Sequence, residues 1–176
     1  VRAVQQANTA GCRLHFCHLS SGVSIDAARG SVEVTPHHLF LSHDMFDKND
    51  AFAKVNPPLR SDQMRTELLS RWDRIDVVAS DHAPHTSPEK ELPFSDAPSG
   101  VPGVETALPL LLAAVLEKRF SLPGVIAKTS SNPRPPSSGK SSQLPSIRSI
   151  RATGTQLRLR LSKIFQRESI ESGFFR

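Results

Sequence analysis

Three short apolar runs alternate with helix-forming stretches, and this alternation constrains the fold more than any other feature of the chain. Leu14-His15-Phe16-Cys17 reads as a strand ending near His18. Val32-Glu33-Val34-Thr35 reads as a second strand, stopped by Pro36, and Ile75 to Ser80 as a third. Residues 1–10 read as the end of a helix, Ser20 to Arg29 as a short helix, and Asp62 to Trp72 as a helix capped by Ser61. Val104 to Arg119 is the clearest helix, with Val104, Leu108, Leu111, Leu112 and Val115 on one face. Ser121 can cap a further short helix ending before Asn132-Pro133. Between these elements, Pro57-Pro58 excludes a regular helix, and Pro84 to Gly103 reads as one long loop. Parallel β/α units follow from this order. Three strands make about half of an eight-stranded β/α barrel, and 176 residues fall short of the roughly 250 that a whole barrel needs.

Charge divides the chain in two. Residues 1–133 carry 13 basic and 15 acidic side chains, whereas residues 134–176 carry 9 basic and 2 acidic ones. The overall charge of +5 therefore comes from the tail alone. The tail begins Arg-Pro-Pro-Ser-Ser-Gly-Lys and then shows no stable period, which marks 1–133 as one domain and 134–176 as a basic, disordered segment. No aromatic side chains alternate with its basic residues as a nucleic-acid stacking platform requires, so nucleic acid is not an expected partner. The chain holds no apolar run of membrane-spanning length. Its two cysteines, Cys12 and Cys17, fit a reducing compartment, and a cytoplasmic location is expected. Five extended residues place them about 16 Å apart, too far for a bridge.

The chemistry-bearing residues cluster just past the strands. All seven histidines lie at or before His85. The third strand runs into Asp81-His82-Ala83-Pro84-His85-Thr86, which places a carboxylate and two imidazoles beyond its C-terminal end. In a β/α barrel that rim carries the active site.

Five segments occur in order: Cys17-His18-Leu19-Ser20-Ser21, Thr35-Pro36-His37-His38-Leu39-Phe40-Leu41, Lys54-Val55-Asn56-Pro57-Pro58-Leu59-Arg60, Asp81 to Thr86, and Ala97-Pro98-Ser99-Gly100-Val101-Pro102-Gly103-Val104-Glu105-Thr106. Together they closely resemble the C-terminal part of a dihydroorotase of the amidohydrolase superfamily, in forms most like archaeal versions. The resemblance covers 1–133 and implies a partial (β/α)8 barrel of the metal-dependent type. The implied reaction is the reversible, zinc-dependent cyclisation of N-carbamoyl-L-aspartate to dihydroorotate. Ring hydrolysis needs an activated water and a proton shuttle, and zinc lowers the pKa of a bound water to about 7. On this resemblance Asp81 is the catalytic proton carrier and a metal ligand, and His18 is a second metal ligand. Asn56 and His85 contact the substrate, as do Ser99 and Gly100 through main-chain groups. His37, His38 and His82 are structural, and Arg60 stabilises its loop. Cys17 and Glu33 resemble positions that bind an extra zinc in some relatives, but Cys17 reads better as a small core residue.

The chain also departs from the family pattern. The family's one or two zinc ions need a His-x-His pair and further ligands, and no His-x-His occurs here. Those ligands would precede Val1, so the chain reads as truncated and inactive alone, with edges that favour association between copies. After Pro133 the family continues Ala-Arg-Leu, which the codons for Arg134-Pro135-Pro136-Ser137 can encode in a shifted frame. A frameshift near codon 134 is the expectation. Two other functions compete: an allantoinase- or dihydropyrimidinase-like cyclic amidohydrolase, and a non-catalytic dihydroorotase-like partner.

Overall fold

The computed structural model describes residues 2–133. The segment 134–176, with its expected disorder and frame change, lies outside the described residues. Strands β1 (His15–Phe16), β2 (Ser31–Val34) and β3 (Val77–Val78) form one sheet in that order. Both pairings are parallel, with His15 opposite Ser31 and Glu33 opposite Val77. Parallel neighbours require crossover connections, and helices supply them. Helix α1 (Arg2–Ala10) precedes the sheet and α2 (Gly22–Ala27) joins β1 to β2. Helices α3 (Pro36–Phe40) and α4 (Asp62–Leu69) separate β2 from β3. Helices α5 (Ser87–Lys90), α6 (Ala107–Leu116) and α7 (Leu122–Ile126) follow β3, and α7 continues as a π-helical turn over Ala127–Ser131. The result is three consecutive β/α units of a barrel-type fold. Among the described residues no helix is long and apolar enough to cross a membrane.

Local signals explain most element ends. Gly11, at φ 64°, closes α1, and the Cys12 N–H returns to the Ala7 carbonyl at 2.9 Å. Ser61 caps α4 by accepting from the Met64 N–H, and Ser121 caps α7 by accepting from the Gly124 N–H. Two short helices lie where the sequence reads otherwise. Pro36 ends a strand but also opens α3, with Thr35 as its cap. Helix α5 sits inside the expected loop of 84–103, where Glu89 Oε2 accepts from both the N–H and the O–H of Thr86 at 2.8 Å.

The core packs the sheet against the helices. Val32, Val34, Ile75 and Val78 meet Ile25, Leu39, Leu68, Leu111 and Val125, all buried. Trp72 stacks on Phe120 with ring centroids 3.8 Å apart. The expected apolar stripe of α6 needs correction: Leu111 and Ala114 are buried, whereas Val104 and Leu108 are 61% and 50% exposed. The sequence Ala107-Leu-Pro-Leu-Leu-Leu-Ala-Ala-Val-Leu116 is apolar on every side, so its period selects no face.

Candidate active site

His18 lies two residues beyond β1, and Asp81 lies three residues beyond β3. Both sit at C-terminal ends of parallel strands, and both have left-handed backbones, with φ of 38° and 49°. A non-glycine residue held there costs about 1–3 kcal/mol, and such positions concentrate at functional sites. Glu33 supports the His18 turn. Its Oε1 accepts from the His18 N–H at 3.3 Å, and its carbonyl accepts from the Leu19 N–H at 2.9 Å.

The His18 ring offers a nitrogen that the protein does not use. Its Nδ1 is buried and has no hydrogen-bond partner. The Asp81 carboxylate is 39% exposed, and its Oδ2 lies 4.0 Å from His37 Nε2, beyond hydrogen-bonding distance. His37 Nε2 is likewise buried and unpartnered. Burial, reinforced by the charges of His38 and His18, pushes the His37 imidazole down to about 3. His37 is therefore neutral beside Asp81. His38 is tied on both ring nitrogens, to Thr35 Oγ1 at 2.7 Å and to the Pro57 carbonyl at 2.9 Å. Burial lowers its pKa also.

A second group of predicted residues forms around the loop after α5. His85 Nε2 meets the Ser99 carbonyl at 3.1 Å. Gly100 has φ 141°, and a Cβ there would lie 2.6 Å from the Ala83 carbonyl and 3.0 Å from His85 Nε2. Only glycine allows this approach. The Gly100 N–H donates to the Lys54 carbonyl at 2.9 Å, which ties this loop to the segment that carries Asn56. Asn56 itself is exposed. Among the described residues no hydrogen bond joins it to Asp81 or to the His85–Ser99 pair.

The neighbours anchor this arrangement. His82 Nδ1 accepts from the N–H groups of Gly103 and Val104 at 3.0 and 3.2 Å. Arg60 Nε donates to the buried Oγ of Ser20, two residues after His18, at 3.0 Å. Two lysines that sequence reading leaves unassigned, Lys54 and Lys90, turn their ammonium groups onto loop carbonyls. Lysine usually reads as a solvated surface residue, so no signal in one sequence would have found them. A concavity of about 460 Å³, lined in part by His43, Lys54, Val55 and Phe94, contains none of the predicted site residues.

His18 and Asp81 supply one nitrogen and one carboxylate, a set that suits zinc, and the unpartnered His18 Nδ1 fits such a role. A catalytic zinc takes three protein ligands, so these two would supply part of such a shell. A separate trio, His15, Cys17 and Glu33, brings its ligand atoms within 4.8 Å of one another. His15 Nε2 already meets Glu33 Oε2 at 3.1 Å. Cys17 is exposed, not a core residue as its size suggests. It follows the short strand β1 on the same side as exposed His15, two residues away. Partial burial, with the charges of Glu33 and Asp81, pushes its thiol pKa up.

Comparison with known proteins defines the class. No family model matches the chain. An L-hydantoinase (dihydropyrimidinase) from Arthrobacter aurescens aligns with a TM-score of 0.68 at 29% identity, over 75% of this chain and 32% of its own. A dihydroorotase from Saccharomyces cerevisiae, solved with 5-fluoroorotic acid, aligns with a TM-score of 0.62 over 74% and 40%. At 19% identity that likeness concerns the fold alone. The parallel β/α units thus belong to a barrel of the amidohydrolase class.

Sequence relatives narrow the class. The dihydroorotase of Halobacterium salinarum is 51% identical over 137 residues, covering 75% of this chain and 32% of the relative. That of Methanosarcina acetivorans is 45% identical over 137 residues, covering 69% and 29%. The chain is similar to these dihydroorotases over 69–75% of its own length, and it spans about a third of the length of the curated relatives it matches.

Proposed function

We propose that the chain contributes the C-terminal part of a dihydroorotase site, for the reversible cyclisation of N-carbamoyl-L-aspartate to dihydroorotate. One observation supports this above the others: His18 and Asp81 are both held in left-handed backbone conformations at the C-terminal ends of parallel strands. In this reading the two residues hold zinc, which when bound supplies a water with a pKa near 7. Asp81 takes a proton at its carboxylate and returns it to the ring nitrogen of the substrate. Its partial exposure leaves room for that exchange. His37 stays neutral beside it and does not compete as the acid. His85 and the main chain of Ser99 and Gly100 orient the substrate, with Asn56 contributing an amide that both donates and accepts.

Two free cysteines support a cytoplasmic setting. The dihydropyrimidinase-like alternative rests on one structural match named above, at 29% identity, against 45–51% for the dihydroorotases. The described residues provide two of the three protein ligands that a catalytic zinc needs, so the chain alone is expected to be inactive. The test is dihydroorotate hydrolysis with added zinc. The chain is assayed alone and together with the part of the Halobacterium salinarum enzyme that the match leaves uncovered. Activity only in the mixture supports the proposal. Activity on hydantoin but not on dihydroorotate would favour the alternative, and no activity in any mixture would favour a non-catalytic partner.

A further inference from the structure

The loop that carries Ser99 and Gly100 is held by cations as well as by the buried side chains of Ala97 and Val101. Lys90, the last residue of α5, is 5% exposed. Its Nζ donates to the carbonyls of Lys54 at 3.3 Å, Pro98 at 3.1 Å and Gly100 at 3.0 Å. An ammonium group has three donors, and all three are used. Lys54 works alongside it, donating to the carbonyls of Phe94 and Ala97 at 2.6 Å and of Ser95 at 3.3 Å. Among the described residues neither lysine pairs with a carboxylate within 4.0 Å. A buried charge without a counter-ion is costly unless its donors are satisfied, and here backbone oxygens satisfy them. Burial, then the charge of Lys54, lowers the Lys90 pKa.

The three carbonyls come from two separate segments. Lys54 lies two residues before Asn56, whereas Pro98 and Gly100 flank Ser99. Gathering them at one point fixes the Ser99 carbonyl against His85 Nε2 and the Gly100 N–H against the Lys54 carbonyl. We propose that Lys90 is a positioning residue whose ammonium assembles a carbonyl cage and thereby sets the Ser99–Gly100 backbone and the Asn56 segment in register with His85. The effect on catalysis rests on the substrate role proposed above for these residues. The clamp itself does not.

The test uses the full chain and three measurements. In the unaltered protein, nitrogen-15 NMR of the lysine ammonium groups should show a slowly exchanging Lys90 signal coupled to the three carbonyls. A fast-exchanging Lys90 ammonium would overturn the proposal, and this measurement needs no variant. In Lys90→Met the stem remains and the charge is lost. Amide hydrogen exchange over 94–101 should rise about tenfold or more while α4 stays protected. Exchange unchanged in 94–101 would overturn the proposal. In Lys90→Ala, n-butylammonium should restore protection and n-butanol should not. Equal rescue by the alcohol would show that the site needs volume rather than charge, and would also overturn it. In the mixture reconstituted with the Halobacterium segment, Lys90→Met should raise KM for dihydroorotate more than it lowers kcat. Raised loop exchange with an unchanged KM would uphold the clamp and refute the substrate role of Ser99 and Gly100, so the two ideas fail separately.

Discussion

Replacing Gly100 by alanine isolates the contact between the 97–101 loop and the Asp81–His85 segment. Gly100 sits at φ 141°, where side chains are strained whatever the space. A Cβ there would also stand 2.6 Å from the Ala83 carbonyl, 2.7 Å from Ala83 Cβ and 3.0 Å from His85 Nε2. Two other glycines separate the two effects. Gly11 has φ 64° and open space, so Gly11→Ala should cost about 1 kcal/mol from strain alone. Gly103 lacks a left-handed backbone, but its Cβ would stand 2.6 Å from the Ser80 carbonyl, so Gly103→Ala should cost about 1–3 kcal/mol from crowding alone. Gly100→Ala combines both and should cost about 2–5 kcal/mol. Urea unfolding followed by Trp72 fluorescence reads all three. An ordering with Gly100→Ala no worse than Gly11→Ala would refute the close approach of the loop to His85.

Leu39 is fully buried between the sheet and α4, so Leu39→Ala should lower stability by about 2–5 kcal/mol in the same assay; a cost below about 1 kcal/mol would place it outside the core. The metal-free chain should be acid-labile through His37. Its folded pKa, about 3, lies below the unfolded 6.5, so the unfolded chain binds the extra proton between these values. The stability this residue contributes is present above about pH 6.5 and is lost as pH falls toward 3, by about 5 kcal/mol at most, with His38 acting in the same direction. A flat stability profile from pH 7 to 4, with chelator present, would contradict the burial of these rings. Glu89→Ala removes the shared acceptor of the Thr86 N–H and O–H, so exchange of the Lys90 amide should quicken while that of Leu68 does not.

The strands were legible because Val32, Val34, Ile75 and Val78 form apolar β-branched runs between turn residues, and burial agrees with that pattern. Ser61 and Ser121 were legible as caps because a hydroxyl before a helix satisfies an otherwise unpaired amide. The buried face of α6 was not legible, since a helix apolar all round leaves the choice to its tertiary neighbours. Helices α3 and α5 are too short for periodicity, although Thr35-Pro36 and Thr86-Ser-Pro-Glu89 carry their start signals. Within the candidate site, the placement of His18 and Asp81 at strand ends follows from the strand assignments, whereas their backbone strain has no local sequence signature. The lysine cage joins residues 54, 90, 98 and 100, and long-range convergence of that kind is invisible to a reading along the chain.

The proposal that residues 2–133 form a working part of a dihydroorotase is put to the test by a chimera in which this segment replaces its counterpart in the Halobacterium salinarum enzyme. Asparagine tolerates the left-handed backbone as aspartate does, so Asp81→Asn should fold alike. The chimera should hydrolyse dihydroorotate, and Asp81→Asn should abolish turnover, with stability within about 0.5 kcal/mol of the chimera. A folded chimera without activity, or one in which Asp81→Asn retains turnover, would contradict it.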